Sequence, residues 1–181
     1  MRTLLITAIT SLAFIGTALA GPIHDAVRDG DVAKVRQLLA NGAKVEARVE
    51  DGWTPLHLAV KWGTTAIAKV LIKAGAKINA RNKNVKTPLH LAADMGQVEI
   101  AKLLVRAGAT VDARGEDGAT PLGMAASMGH GNVAKVLLAA GADGSLKTEE
   151  GRTPFDLAKE SGKLQKNDPD TYWLLNDAQY K

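Results

Sequence analysis

The sequence predicts an all-α repeat protein built from copies of one helix-turn-helix unit. Three observations support this prediction. A threonine-proline pair starts at Thr54, Thr87, Thr120 and Thr153, at intervals of 33 residues. Two sets of glycines keep the same interval, and an apolar pair such as Leu38-Leu39 lies between them in each of the first four units. A fixed period of roughly 20 to 50 residues is typical of proteins in which each unit buries its apolar face against the next.

Each unit begins with a short predicted helix. Proline suits the first turn of a helix, where its missing N–H costs nothing, and the threonine before it can cap that helix. The helix passes through a small residue, such as Ala59 or Ala92, that lets neighbouring units approach closely. It is predicted to end at a glycine in a left-handed conformation. These glycines are Gly30, Gly63, Gly96, Gly129 and Gly162.

A second helix follows, and a hairpin closes the unit. In the first unit Val32, Val35 and Leu38 form the apolar face of this helix. The glycines that end it are Gly42, Gly75, Gly108 and Gly141. Acid-glycine pairs such as Asp51-Gly52 then predict a tight turn with a two-residue tip.

Two hairpins depart from this pattern. Val85 stands where the other tips have glycine, and a β-branched residue tolerates a positive φ poorly. We therefore expect that hairpin to turn differently or to carry strain. Gly144 replaces the Val45, Ile78 and Val111 of the earlier units, which predicts a looser fourth hairpin.

The stretch "DGWTPLHLAVKWG…AKVLIKAGAKINAR" resembles an ankyrin repeat, and the resemblance extends from Gly21 to about Ala178. It implies helix-turn-helix-hairpin units stacked into a slightly curved, all-α repeat solenoid. It also implies a protein-binding module that uses its hairpin tips and first helices, which line a concave face. The predicted units are 21–53, 54–86, 87–119, 120–152 and 153–181, with the first and last as caps.

The last unit loses the period after Gly162. Its apolar pair Leu174-Leu175 arrives four residues late, and Asp168-Pro169 predicts the start of a further helix. We expect Trp173 to cover the end of the stack.

Residues 1–20, "MRTLLITAITSLAFIGTALA", predict a signal peptide. The apolar run Leu4 to Ile15 is shorter than the roughly 20 residues of a membrane span. Ala18-Leu19-Ala20 fits a signal peptidase site, so cleavage is expected after Ala20. The first unit begins at the same point, because Gly21-Pro22 lies 33 residues before Thr54-Pro55. An uncleaved anchor is the alternative. We expect an exported monomer that does not span the membrane, most simply in the periplasm and otherwise outside the cell.

Composition and motifs predict no catalytic residue, metal or cofactor. The chain has no cysteine, which excludes a thiolate metal site, and its net charge of +4 is spread too evenly to predict nucleic-acid binding. His24, His57 and His90 share one repeat position, where the resemblance implies a scaffold role. His130 is interpreted as a solvated loop residue. Ser127 echoes a nucleophile elbow but has no predicted strand before it.

The candidate partner-binding residues lie at the positions that the family uses for contact. Trp62, Met95 and Met128 end the first helices of three consecutive units. They form either an exposed apolar strip about 20 Å long or a local core against the hairpins. Trp53 adds to them from a hairpin.

Basic residues offer further candidates. Arg48, Arg81 and Arg114 form a row at the hairpin bases, and Lys83 and Lys86 flank the one basic tip. Ordinary solvation is the alternative for the row, and neutral drift for the tip.

Three functions remain open. The first is non-catalytic binding of another protein in the cell envelope, through the concave groove and hairpin tips. The second is a stoichiometric inhibitor or protective partner of an exported enzyme. The third is binding of an anionic envelope polymer through the basic residues.

Overall fold

The computed structural model describes residues 21–180; the predicted signal peptide, residues 1–20, lies outside the described residues. Within residues 21–180 the chain forms eleven helices and no strand. Their bounds are α1 Pro22–Arg28, α2 Val32–Ala40, α3 Pro55–Lys61, α4 Thr65–Lys73, α5 Pro88–Asp94, α6 Val98–Arg106, α7 Pro121–Met128, α8 Gly131–Ala139, α9 Pro154–Ser161, α10 Lys163–Asn167 and α11 Pro169–Ala178.

The helices form two layers. Helices α1, α3, α5, α7 and α9 pack side by side in one layer, and α2, α4, α6, α8 and α11 pack in the other. Apolar side chains from the two layers meet in one continuous core. Its fully buried members repeat from unit to unit, as in Leu56, Leu89 and Leu122 or Leu71, Leu104 and Leu137. The predicted all-α repeat solenoid is confirmed.

The predicted helix ends are also present. The threonine hydroxyl accepts a hydrogen bond from the backbone N–H three residues on, as from His57 to Thr54 and from His90 to Thr87. Both predicted sets of glycines have positive φ. Units two to five therefore start and stop their first helix by the same local chemistry, whereas α1 follows Gly21 and has no side-chain cap.

The hairpin tips have three residues, so the prediction of two was wrong. In the tip before the third unit, Asn82 N donates to Lys86 O at 3.1 Å and Val85 N donates to Asn82 O at 3.1 Å. These hydrogen bonds close the hairpin between Asn82 and Lys86 and leave three residues, 83–85, in the tip, the last of them with positive φ. Val85 takes the same conformation as the glycines elsewhere, with φ 56°. Of the two outcomes predicted for this hairpin, strain is the one observed.

The C-terminal unit contains an extra helix. Leu164 of α10 is fully buried, and Asp168 caps α11 by accepting from Thr171 N at 3.2 Å. The predicted helix start at Asp168-Pro169 is therefore confirmed. Trp173 was expected to cover the stack but is 59% exposed. The expectation was wrong because α11 turns Tyr172 inward instead.

The fourth hairpin is not loose, contrary to the prediction from Gly144. Gly144 is buried, and a Cβ there would lie 2.7 Å from Ala178 Cβ and 2.8 Å from its carbonyl carbon. The missing side chain therefore allows α11 to pack directly against this hairpin.

Candidate functional site

The buried histidines tie the first helix of a unit to the hairpin that leads into the next unit. His57 Nδ1 lies 2.8 Å from Thr54 Oγ1, and its Nε2 lies 3.1 Å from Lys86 O in the following hairpin. His90 makes the same contacts one unit later, with Nε2 3.2 Å from Ala119 O. Burial lowers the pKa of both imidazoles to about 4. Both rings are therefore neutral at physiological pH and act as scaffold.

His130 is also a structural contact, so its interpretation as a solvated loop residue was wrong. Its Nε2 lies 3.0 Å from Asp94 O of the preceding unit. The ring fills the space above Gly96, where a Cβ would lie 2.7 Å from His130 Nδ1. Nothing in the sequence signals this contact, because the equivalent positions of the other units hold no histidine.

The apolar strip of Trp62, Met95 and Met128 lies on the surface. These side chains are 50%, 38% and 41% exposed, respectively. Trp62 and Met95 occupy the C-cap positions of α3 and α5, and Met128 is the last residue of α7. Each helix ends there because the next residue is a glycine with positive φ. The repeat itself therefore sets the spacing of the strip, and the local-core alternative does not apply.

Trp53 contacts a scaffold residue and is also linked to the apolar strip through Lys61. It is half-buried, and its ring meets His57 edge-on with centroids 5.9 Å apart. Lys61 Nζ lies 5.3 Å from the ring centroid of Trp53 and 5.4 Å from that of Trp62. This lysine joins the two indoles by cation–π contacts. One end of the strip is therefore aromatic and carries a positive charge.

The basic row has a structural role that the sequence did not reveal. Arg48 Nη1 donates to Gly52 O at 2.7 Å and to Arg81 O at 2.8 Å, which ties one hairpin to the next. Arg114 does the same two units later, through Gly118 O at 3.1 Å and Lys147 O at 2.6 Å. A role of Arg48, Arg81 and Arg114 in partner binding stays a prediction.

The basic tip is neutralised by neighbouring carboxylates. Lys83 Nζ lies 3.7 Å from Asp51 Oδ1, and Lys86 Nζ lies 3.6 Å from Asp94 Oδ2. Lys83 also donates its backbone N–H to Asp51 O at 2.8 Å. Lys83 thus takes part in a contact between hairpins and Lys86 in a contact with the end of α5, and their contribution to partner binding stays a prediction.

A pocket of about 470 Å³ opens between α7, α9 and the two hairpins beside them. We call it the junction pocket. Gly123 lines it, at the position where units two and three place an imidazole. Met124, Met128 and Leu157 supply its apolar lining. The sequence shows glycine instead of histidine at this position but does not predict a pocket, because the loss of a side chain does not reveal how its neighbours close the space.

Two further properties concern the described residues alone. No group of three or more histidine, aspartate or glutamate side chains within residues 21–180 is placed to hold a metal ion. No helix in that range is long and apolar enough to cross a membrane.

Family models identify the repeat. A model described as ankyrin repeats (3 copies) matches residues 23–115, which is just over half of the chain. A second, described as ankyrin repeats (many copies), matches residues 104–158. No curated protein matches the chain significantly. The 33-residue repeat, the paired helices and these two matches together show that the chain belongs to the ankyrin-repeat family.

Proposed function

We propose that this protein is an exported, non-catalytic module that binds another protein in the cell envelope through its concave groove. Ankyrin repeats generally mediate protein–protein interaction, and proteins made of them are typically non-catalytic. The apolar strip is the observation that carries the proposal. The sequence of residues 1–20 supports export, with the periplasm as the simplest destination and the outside of the cell as the alternative.

The strip has the properties of an interface centre. Its three large side chains are exposed, whereas apolar side chains at the repeated core positions, such as Leu56, Leu89 and Leu122, are fully buried. Tryptophan and methionine are enriched at protein interfaces, where a few large side chains carry most of the binding energy. Trp53 and Lys61 extend the surface at the aromatic end. A partner that covers the strip would remove these side chains from water without rearranging the scaffold.

The proposal is tested by crosslinking and alanine substitution. A photo-crosslinker at position 62 or 95 of the full chain should capture one envelope protein in cells. Trp62→Ala together with Met95→Ala should then weaken binding of that protein by about 2 kcal/mol or more. Lys69→Ala, on the exposed face of α4, is the matched control and should leave affinity unchanged. Unchanged affinity of the double variant, with an intact fold, would contradict the assignment of the strip.

The same partner distinguishes the remaining functions. If the captured protein is an enzyme that loses its activity on mixing, the ankyrin-repeat chain is an inhibitor. If mixing instead protects the enzyme from inactivation, the chain is a protective partner. Binding of an anionic polymer instead would weaken steeply with salt and would be indifferent to Trp62→Ala. The engagement of Arg48 and Arg114 with backbone carbonyls favours a protein partner over a polymer.

A further inference from the structure

The junction pocket adjoins the apolar strip, because Met128 belongs to both. A protein segment that lies along the strip therefore reaches the pocket without leaving the groove. The pocket lies where Gly123 interrupts the row of buried histidines. What it accepts depends on the charges around it.

Carboxylates outnumber cations in the lining of the pocket. Lys86 is already paired with Asp94 at 3.6 Å, and Arg152 is paired with Glu160 at 2.8 Å. The third carboxylate, Asp117, pairs with no cation among residues 21–180 and is exposed at its hairpin tip. The lining thus has an excess of one negative charge.

The apolar lining complements this charge. Met124 and Leu157 are half-buried side chains beside Gly123, and a Cβ at Gly123 would lie 3.1 Å from Leu157 Cδ1. Long basic side chains bury an aliphatic stem against apolar surface while the charged end stays near water or a counter-ion. A basic side chain would place its aliphatic stem against Met124 and Leu157 and its cationic end beside Asp117. It would therefore complement both the apolar lining and the negative charge of the pocket.

We propose that the junction pocket receives a lysine or arginine side chain of the partner protein, with Asp117 as its counter-ion. This inference rests on the proposed function, since it names the chemistry of the segment that the groove binds. The aromatic end of the strip fixes one part of the segment, and the pocket selects a basic residue at the other. The groove therefore binds the partner segment in a single chain direction along the strip.

A random linear peptide library, displayed on phage and selected on the full chain, provides the probe. The selected peptides should share one lysine or arginine at a constant distance from an apolar residue. Replacing that basic residue by norleucine should weaken binding about tenfold. Asp117→Asn should have the same effect on the unchanged peptide. Asp51→Asn, at the equivalent position of an earlier tip, is the matched control and should not.

Gly123→His closes the pocket without altering the charges on its rim. The variant recreates the residue of units two and three, where Leu91 stands in the sequence relative to His57 as Leu157 does to Gly123. It should also weaken binding about tenfold. Because Asp117 is exposed, Asp117→Asn tests the proposal even if Gly123→His does not fold.

The outcomes separate this inference from the proposed function. Peptides that depend on Trp62 but are unaffected by Asp117→Asn and Gly123→His would overturn the pocket and leave the function intact. Selection of acidic residues for the pocket would overturn it too, and would assign recognition to Arg152. Peptides indifferent to Trp62, Asp117 and Gly123 alike would overturn both proposals.

Discussion

The central junctions of the solenoid and its C-terminal junction are closed in different ways. Between units two and three, and again between three and four, a buried imidazole bridges a threonine cap and a carbonyl of the next hairpin. Between units four and five Gly123 leaves no such bridge. There the backbone approaches closely instead: a Cβ at Gly131 would overlap Asp168 Oδ2, and a Cβ at Gly144 would lie 2.7 Å from Ala178 Cβ.

The difference teaches that one fold can join its units by polar bonds or by close packing. A buried histidine bridge is specific but depends on a neutral ring. Close packing is independent of pH but depends on the absence of side chains. The junction pocket lies beside Gly123, where this histidine is missing.

The largest expected effect is loss of stability in acid, centred on the central junctions. The folded-state pKa of His57 and His90 is about 4, below the unfolded value of 6.5. Between these values the unfolded chain binds more protons, so the free energy of unfolding falls as pH falls, by about 3 kcal/mol per histidine. Above pH 6.5 this contribution is fully present. Urea unfolding at a series of pH values measures it.

The variant Gly123→His sharpens the comparison. It adds a further buried imidazole, at the C-terminal junction, so the loss of unfolding free energy in acid should become larger than in the parent chain. Hydrogen exchange near pH 4 should show the parent chain opening first around His57 and His90. An unfolding free energy that stays constant from neutral pH to pH 4 would contradict the bridge as the source of central stability.

The second effect breaks the C-terminal junction. Gly144→Ala forces a Cβ against Ala178, so α11 must move, at a cost of about 2 kcal/mol in the free energy of unfolding. The neighbouring change Ser145→Ala, at an exposed position, is the control and should cost little. Hydrogen exchange should show the loss in α11 and not in α3 or α5. Equal effects of the two variants would show that close packing is not what closes this junction.

The period of the sequence was sufficient to predict the scaffold. Threonine, proline and glycine act on their own segment of chain, so helix starts such as Thr54 and stops such as Gly63 follow from local rules. Even in the last unit, where the period is interrupted, the pair Asp168-Pro169 predicted the start of α11. The positions of Trp62, Met95 and Met128 were also predictable, because a position next to a helix-ending glycine repeats with the units, but their exposure was left open between a strip and a local core.

Contacts between units were less predictable. A glycine at position 144 signals either freedom or a close neighbour, and only the position of α11 decides which. Likewise, the sequence places Trp173 on α11 but does not determine which side of that helix faces the core. Arg48 was assigned to a partner although its guanidinium ties two hairpins together. In each case the missing information is the arrangement of a neighbouring unit.

The smallest effect concerns the strained hairpin beside the central junctions. Val85 holds φ 56°, a conformation that costs a β-branched residue about 1 to 3 kcal/mol. Val85→Gly removes this strain but gives the unfolded chain more freedom, so we expect a net gain of about 1 kcal/mol. Asn84→Gly, one residue earlier and outside the positive-φ region, is the control and should lower stability slightly. Thermal unfolding of both variants measures the difference. Lys86 of the same hairpin accepts the hydrogen bond from His57. If Val85→Gly lowers stability instead, the valine supports the central junction through packing, and this outcome would contradict the prediction that Val85 only adds backbone strain.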